Sequence, residues 1–190
     1  MSKSIALHTC CSICLVAPRE DLIKKGYQIH GVFFNPNIQP MSEYLDRQNA
    51  LKSYIKVNPV TSLSSSEYDS SLHAELFESV GFERKAMCLK CYEVRLFHTV
   101  LKAKKNKINH FSTTLLSSPF QDKDSIREIG EKLAIEYKLT FVDSKDWEKQ
   151  HYSSKKAIKD AGLHVQKYCG CIYSKMDRKL EKMKIRSEAK

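Results

Sequence analysis

Apolar and polar positions along this chain change period several times, and each change marks an element. Residues 4–9 (SIALHT) form a short apolar run ending at Cys10, which reads as a strand. Residues 12–25 read as a helix closed by Gly26 as a C-cap. Residues 27–34 (YQIHGVFF) are rich in aromatic and β-branched types and predict a second strand, stopped at Asn35-Pro36-Asn37. A helix is expected over 42–55, a short strand over 56–60 (KVNPV) and helical patterning over 71–79, with the Ser-rich stretch 62–66 as a flexible loop. The clearest helical period runs from Cys88 to Lys105, with Leu89, Tyr92, Leu96, Val100 and Ala103 near one face. A strand over 108–114, a helix over 122–137, a strand over 139–143 and helices over 153–161 and 171–186 complete the pattern.

Strands alternating with helices of this length imply βαβ units and a parallel sheet. In such sheets ligands gather beyond the carboxyl ends of the strands, where the strand order reverses. Two segments begin where predicted strands stop: Cys10-Cys11, and Thr113-Thr114 leading to Ser117-Ser118-Pro119. That is where a site belongs. With no internal repeat or evident linker, residues 1–190 are expected to form a single domain.

Composition narrows the class. Hydrophobic residues at 42% and charged residues at 28% suit a globular chain with a real core. No apolar run approaches the roughly 18 residues of a membrane span. The segment MSKSIALHTCC lacks the h-region and cleavage site of a signal peptide, so a cytoplasmic protein with no membrane partner is expected. The 32 Lys and Arg against 22 Asp and Glu leave a net charge of +10, which suits a polyanionic partner such as nucleic acid as well as simple solubility. Nucleotide cradles are missing: no GxGxxG occurs, and Gly26…Gly31 is followed by Val32 and Phe33 where a P-loop needs Lys and Ser or Thr.

The seven cysteines fall in three tight groups: Cys10, Cys11 and Cys14; Cys88 and Cys91; Cys169 and Cys171. An odd, clustered set in a reducing compartment points to metal or redox chemistry rather than a disulfide framework. Cys88 and Cys91, at the predicted start of a helix, share one face, where the helix N-terminus favours the thiolate that binds iron or zinc. A reduced core pair is the plain alternative. Cys10 and Cys11, where a strand breaks, turn either to one metal or to two, and Cys14 either joins them or faces the core. Cys169-Gly170-Cys171 is either a redox-active dithiol or a pair of ligands for a second metal. If the groups converge, the thiols exceed what one four-coordinate zinc needs, and four of them suit a 4Fe–4S cluster.

Five segments in order carry a resemblance to a known family: residues 7–14 (LHTCCSIC); residues 33–40 (FFNPNIQP) with Glu43, Tyr44 and Arg47; residues 88–92 (CLKCY) with Arg95 and Leu96; residues 111–120 (FSTTLLSSPF); and residues 168–174 (YCGCIYS). The chain resembles the QueH family of epoxyqueuosine reductases, with Ser12-Ile13, Gln39 and Phe120 as departures and a poor match over 56–87. The resemblance implies reduction of epoxyqueuosine to queuosine in the anticodon loop of tRNA, without cobalamin. It implies a 4Fe–4S cluster held by Cys10, Cys11, Cys88 and Cys91, and makes Cys169 and Cys171 the redox-active pair or ligands of a second, mononuclear iron. Tyr44, Arg47 and Arg95 are candidate substrate contacts, Tyr92, Tyr168 and Tyr173 candidate proton donors, and an electron donor is required. The fold expected is α/β: one domain with a mostly parallel sheet flanked by helices, Rossmann-like/HUP-like, its metal site at the carboxyl ends of the strands. Two other readings compete: a zinc-stabilised RNA-binding module without catalysis, and an ATP-dependent tRNA-modifying enzyme, against which the missing phosphate loop argues.

Overall fold

The architecture was obtained as a computed structural model. It describes residues 3–188 except 79 and 82, and only the backbone at 77, 186 and 188. Five parallel strands form one sheet in the order β3-β2-β1-β4-β5: β1 Lys3–His8, β2 Tyr27–Phe33, β3 Ser62–Ser65, β4 His110–Thr113 and β5 Thr140–Phe141. The helices are α1 Ser12–Lys24, α2 Met41–Val57, α3 Ser70–Glu78, α4 Arg84–Lys105, α5 Lys123–Tyr137, α6 Asp146–Lys149, α7 His151–Asp160 and α8 Ile172–Glu188, and a 3₁₀ turn spans Thr114–Ser117. From β1 the chain winds outward through β2 to β3, then crosses back to β4 beside β1 and winds the other way to β5. The helices therefore fall on two faces: α1 packs with α2, α6 and α7, whereas α4 packs with α3 and α5.

Reversal of winding puts the switch point between β1 and β4, paired from Ile5↔His110 to His8↔Thr113. The side chains of β1 (Ile5, Leu7) and β4 (Phe111) are fully buried, as a strand covered on both faces requires. Beyond their carboxyl ends lie Cys10-Cys11 and Thr114. His8, fully buried, ties three strand ends together: Nδ1 lies 2.8 Å from Thr113 Oγ1, and Nε2 lies 3.2 Å from Asn35 Oδ1. Thr113 Oγ1 already accepts from Leu115 N–H, so its hydrogen goes to Nδ1 and His8 donates from Nε2. Burial and the nearby Arg95 hold the His8 pKa down to about 3, which keeps the ring neutral.

Three expectations are corrected. Residues 56–60 are not a strand: α2 runs on to Val57, and Pro59 has no N–H for a ladder. The Ser-rich stretch expected as a loop instead supplies β3, registered from His30↔Ser62 to Phe33↔Ser65. As an edge strand largely open to solvent, it pairs through its backbone and needs little apolar content. Third, α4 begins at Arg84, capped by the Glu83 carboxylate on the Lys85 and Ala86 N–H groups, so Cys88 sits one turn inside the helix. The short α6 was not anticipated, and residue 79 of the expected helix over 71–79 lies outside the described residues. No helix among the described residues is long and apolar enough to cross a membrane.

Gly130 shows how closely α5 lies on the sheet. A Cβ there would come within 2.6–2.8 Å of the Phe141 ring, which is itself tilted against Phe111. In an exposed helix Gly→Ala would stabilise by about 1 kcal/mol. Here overpacking outweighs propensity, and Gly130→Ala is expected to destabilise by about 1–3 kcal/mol, read from the midpoint of urea unfolding. An unchanged or raised midpoint would show that α5 has room to move.

Candidate functional site

Cys11 is the N-cap of α1, with extended backbone (φ −172°, ψ 170°), and its Sγ accepts the Cys14 N–H at 3.4 Å. That geometry folds the side chain back over the first turn of the helix. The sulfurs of Cys10, Cys11 and Cys14 consequently lie within 4.8 Å of one another, all buried, so Cys14 joins its neighbours. Thr114, at the end of β4, closes the group from the other side: its Oγ1 accepts the Cys10 N–H at 3.1 Å and donates towards Cys10 Sγ at 3.4 Å. Donation from Cys11, Cys14 and Thr114 holds the Cys10 thiol well below its usual range. Burial pushes Cys11 up to about 12, and donation towards Cys10 and Cys11 raises Cys14. Of the three, Cys10 is therefore the thiol most readily deprotonated.

Cys88 and Cys91, one helical turn apart on α4, line a second cleft together with Cys169 and Cys171. It encloses about 330 Å³, counting the part open to solvent, with Tyr92 and Arg95 in its wall. The Cys169 and Cys171 sulfurs are 3.7 Å apart, far beyond the roughly 2.05 Å of a bond, so the pair stands as a dithiol and not a disulfide. All seven cysteines are free. Donation from Cys171 draws Cys169 down to about 5, while Cys171 itself is raised by its place beside Cys169. Burial raises Cys88, and raises Cys91 to about 11. This departs from the expectation that the helix N-terminus favours thiolate at both positions. Both thiols lie beyond the unpaired N–H groups of the first turn, where desolvation outweighs the dipole.

Arg95 joins the two groups. It is 3% exposed, and its Nε donates to Cys91 O at 3.1 Å, with the guanidinium 5.9 Å from the Tyr92 ring centroid. No carboxylate among the described residues pairs with it; the acidic groups that act on its charge are Cys91, Cys10, Cys169 and Tyr92, so all three cysteine groups are represented. A buried guanidinium lacking an anion costs several kcal/mol. A cluster with four thiolate ligands carries net negative charge, so the thiol donor set and a buried cation with no carboxylate partner among the described residues together fit an iron–sulfur centre.

The Cys169-Gly170-Cys171 loop is held by a clamp. Arg47, 2% exposed, donates from Nε to Glu43 at 2.8 Å and from its two terminal nitrogens to the carbonyls of Cys169 and Tyr168 at 3.0 and 2.9 Å. Gly170 has φ +127°, and a Cβ there would come within 2.9 Å of Ile38, so only glycine suits the turn. Gln166, just before the loop, donates from Nε2 to Cys11 Sγ at 2.8 Å. Of the candidate substrate contacts, Arg47 is thus committed to the loop. Tyr44 is buried with its hydroxyl on Ser66 O at 2.6 Å, and Arg95 lies within the cleft wall. The Arg47 clamp and Gln166 were not foreseen, since nothing in residue type or spacing marks a pairing across 121 or 155 positions.

The thiol chemistry of the loop is open to a direct test. Because the Cys169 pKa is lowered, its thiolate persists above pH 5 and is lost only below it. In the reduced, metal-free chain, iodoacetamide labelling of Cys169 followed by peptide mass spectrometry is expected to show a midpoint near pH 5. Cys171→Ala should raise that midpoint towards about 8.5. A wild-type midpoint already at the ordinary value would refute the pairing.

A family model described as Epoxyqueuosine reductase QueH matches residues 5–177. Relatives carrying that name include one from Dehalococcoides mccartyi, 28% identical over 178 residues, covering 94% of this chain and 96% of its own length. Another, from Thermotoga maritima, is 29% identical over 186 residues, covering 93% of this chain and 92% of its own. One from Helicobacter pylori is 31% identical over 182 residues and covers 88% of this chain, which spans 48% of that relative. Among solved structures, a deacetylase of the teicoplanin biosynthesis pathway matches with a TM-score of 0.50 at 8% identity, over 82% of this chain and 84% of that one, a likeness of fold alone. Matched over its strands, both thiol groups and the clamped loop, the chain belongs to the QueH family of epoxyqueuosine reductases.

Proposed function

We propose that this chain reduces epoxyqueuosine to queuosine in tRNA, in the cytoplasm, as the family name carried by its relatives indicates. The observation that supports this reading most is the buried Arg95 guanidinium, which has no carboxylate partner among the described residues, lines the cleft of Cys88, Cys91, Cys169 and Cys171, and lies within electrostatic reach of Cys10. Opening an epoxide to an alkene consumes two electrons and two protons and releases the oxygen as water. Cys10, Cys11, Cys88 and Cys91 are the proposed ligands of a 4Fe–4S cluster, and Cys169 and Cys171 the proposed redox pair or ligands of a second iron. When bound, such a centre supplies single electrons, and a neighbouring iron adds Lewis acidity.

The chain's own groups then have defined work. Arg95 offsets the negative charge gathered in the cleft. Arg47 and Gly170 hold Cys169 and Cys171 against the opening. Among the tyrosines, Tyr168 already donates its hydroxyl hydrogen to Gln39 O. Tyr92 instead accepts the Asp122 N–H at 3.3 Å, and burial holds its pKa up to about 12, so it keeps its proton on the cleft wall. Tyr92 and Tyr173, both on the cleft wall, are the proposed proton donors. The net charge of +10 suits a tRNA partner, and reduction also demands an external electron donor.

Anaerobic reconstitution with iron and sulfide should give a brown protein absorbing near about 400 nm (a colour expected of iron–sulfur clusters). With a chemical reductant it should convert epoxyqueuosine-containing tRNA to queuosine-containing tRNA, as read by nucleoside mass spectrometry. Cys88→Ala and Cys91→Ala should lose both colour and conversion. A colourless protein that keeps stoichiometric zinc and converts nothing would defeat the proposal. Arg95→Leu is expected to retain several-fold less iron than wild type at equal folded yield, with Arg95→Lys recovering most of it; equal iron in all three would show that the buried charge is unrelated to the centre.

A further inference from the structure

Two N–H groups meet Cys11 Sγ. One is the Cys14 backbone amide at 3.4 Å, built into the first turn of α1; the other is Gln166 Nε2 at 2.8 Å, reaching in from the segment that leads to Cys169. The Gln166 Oε1 is buried and has no hydrogen-bond partner among the described residues. A buried amide oxygen left unpaired is unfavourable, and the polar contact that this amide does make is that of its Nε2 with the Cys11 sulfur. A thiolate sulfur has no hydrogen to donate and can only accept. With its N–H directed at Cys11 Sγ, Gln166 is placed to donate to that sulfur when it serves as a thiolate ligand.

We propose that Gln166 is a positioning residue that raises the reduction potential of the iron–sulfur centre by donating a hydrogen bond to Cys11. This rests on the reading of Cys11 as a ligand given above. An added electron increases the negative charge on the ligating sulfurs, so a fixed N–H donor stabilises the reduced state more than the oxidised one. Of the two donors, only Gln166 is a side chain, and so only it can be removed without altering the helix. The centre of the wild-type chain accepts an electron from a weaker donor than it would with an apolar residue at this position.

The test uses the reconstituted protein with Gln166→Leu, which removes the donor at similar size, Gln166→Glu, which replaces it with an acceptor, and Gln166→Asn, which draws the amide back by one methylene. Iron and sulfide content, thermal melting and an anaerobic redox titration of the visible absorbance are measured for each. The expected result is unchanged iron with a more negative midpoint, shifted at least as far in Gln166→Glu as in Gln166→Leu and less in Gln166→Asn. At the wild-type midpoint the ratio of reduced to oxidised centre should fall about tenfold in Gln166→Leu, equivalent to about 59 mV for a one-electron couple. Midpoints equal to wild type in the variants that fold would overturn the proposal. So would variants that melt like wild type yet hold no iron, since Gln166 would then serve assembly and not potential. A wild-type chain that takes up no cluster instead removes the ligand assignment, and this inference falls with it.

Discussion

A buried guanidinium with no carboxylate partner among the described residues is the constraint around which this molecule is organised. Arg95 lies deep in α4, and the groups that answer its charge are sulfurs drawn from β1's loop, from α4 itself and from the loop before α8. An arginine in such a place is tolerated only where negative charge is assured. In each close set of thiols one member is held low, Cys10 in the first and Cys169 in the other, while its neighbours are raised. The lowered thiols are the ones most ready to supply negative charge to that cation. A bound thiolate cluster would supply more.

The sheet makes that meeting possible at modest local cost. Reversal of winding between β1 and β4 leaves two loops side by side with no crossing connection above them, and both carry polar residues that a covered strand could not accommodate. His8, neutral and bonded across three strands, spaces the floor of the site. Thr114 then meets Cys10 from β4's side. The third segment has no strand to fix it. Its position depends on the Arg47–Glu43 clamp, the positive φ of Gly170, the Gln166 amide and hydrogen bonds joining Tyr168 and Gly170 to Gln39.

How much of this was legible beforehand differs from one residue to the next. The strands at 4–9 and 27–34, the long helix ending at Lys105 and the glycine of the CxC turn were readable because each rests on local physics: burial on both faces, a 3.6-residue period, a backbone conformation that a Cβ forbids. β3 was not, because an edge strand pairs through its backbone and its serines carry no apolar signal. The shared helical face of Cys88 and Cys91 followed from their spacing. The direction of their pKa shifts did not, because the start of α4 was placed a turn too late and burial could not be weighed from a linear chain.

By itself, the sequence determined an α/β chain with three groups of thiols, two of them beginning or lying on regular elements, since periodicity and spacing act over a few residues. Tertiary structure alone decided that Cys14 joins Cys10 and Cys11, that Cys169 and Cys171 share a cleft with Cys88 and Cys91, and that Arg47 holds a loop. The first turns on the cap geometry where β1 gives way to α1; the other two depend on contacts between segments far apart in sequence. Their free energy comes from desolvation and charge in a shared interior, which no stretch of chain possesses until the others have packed around it.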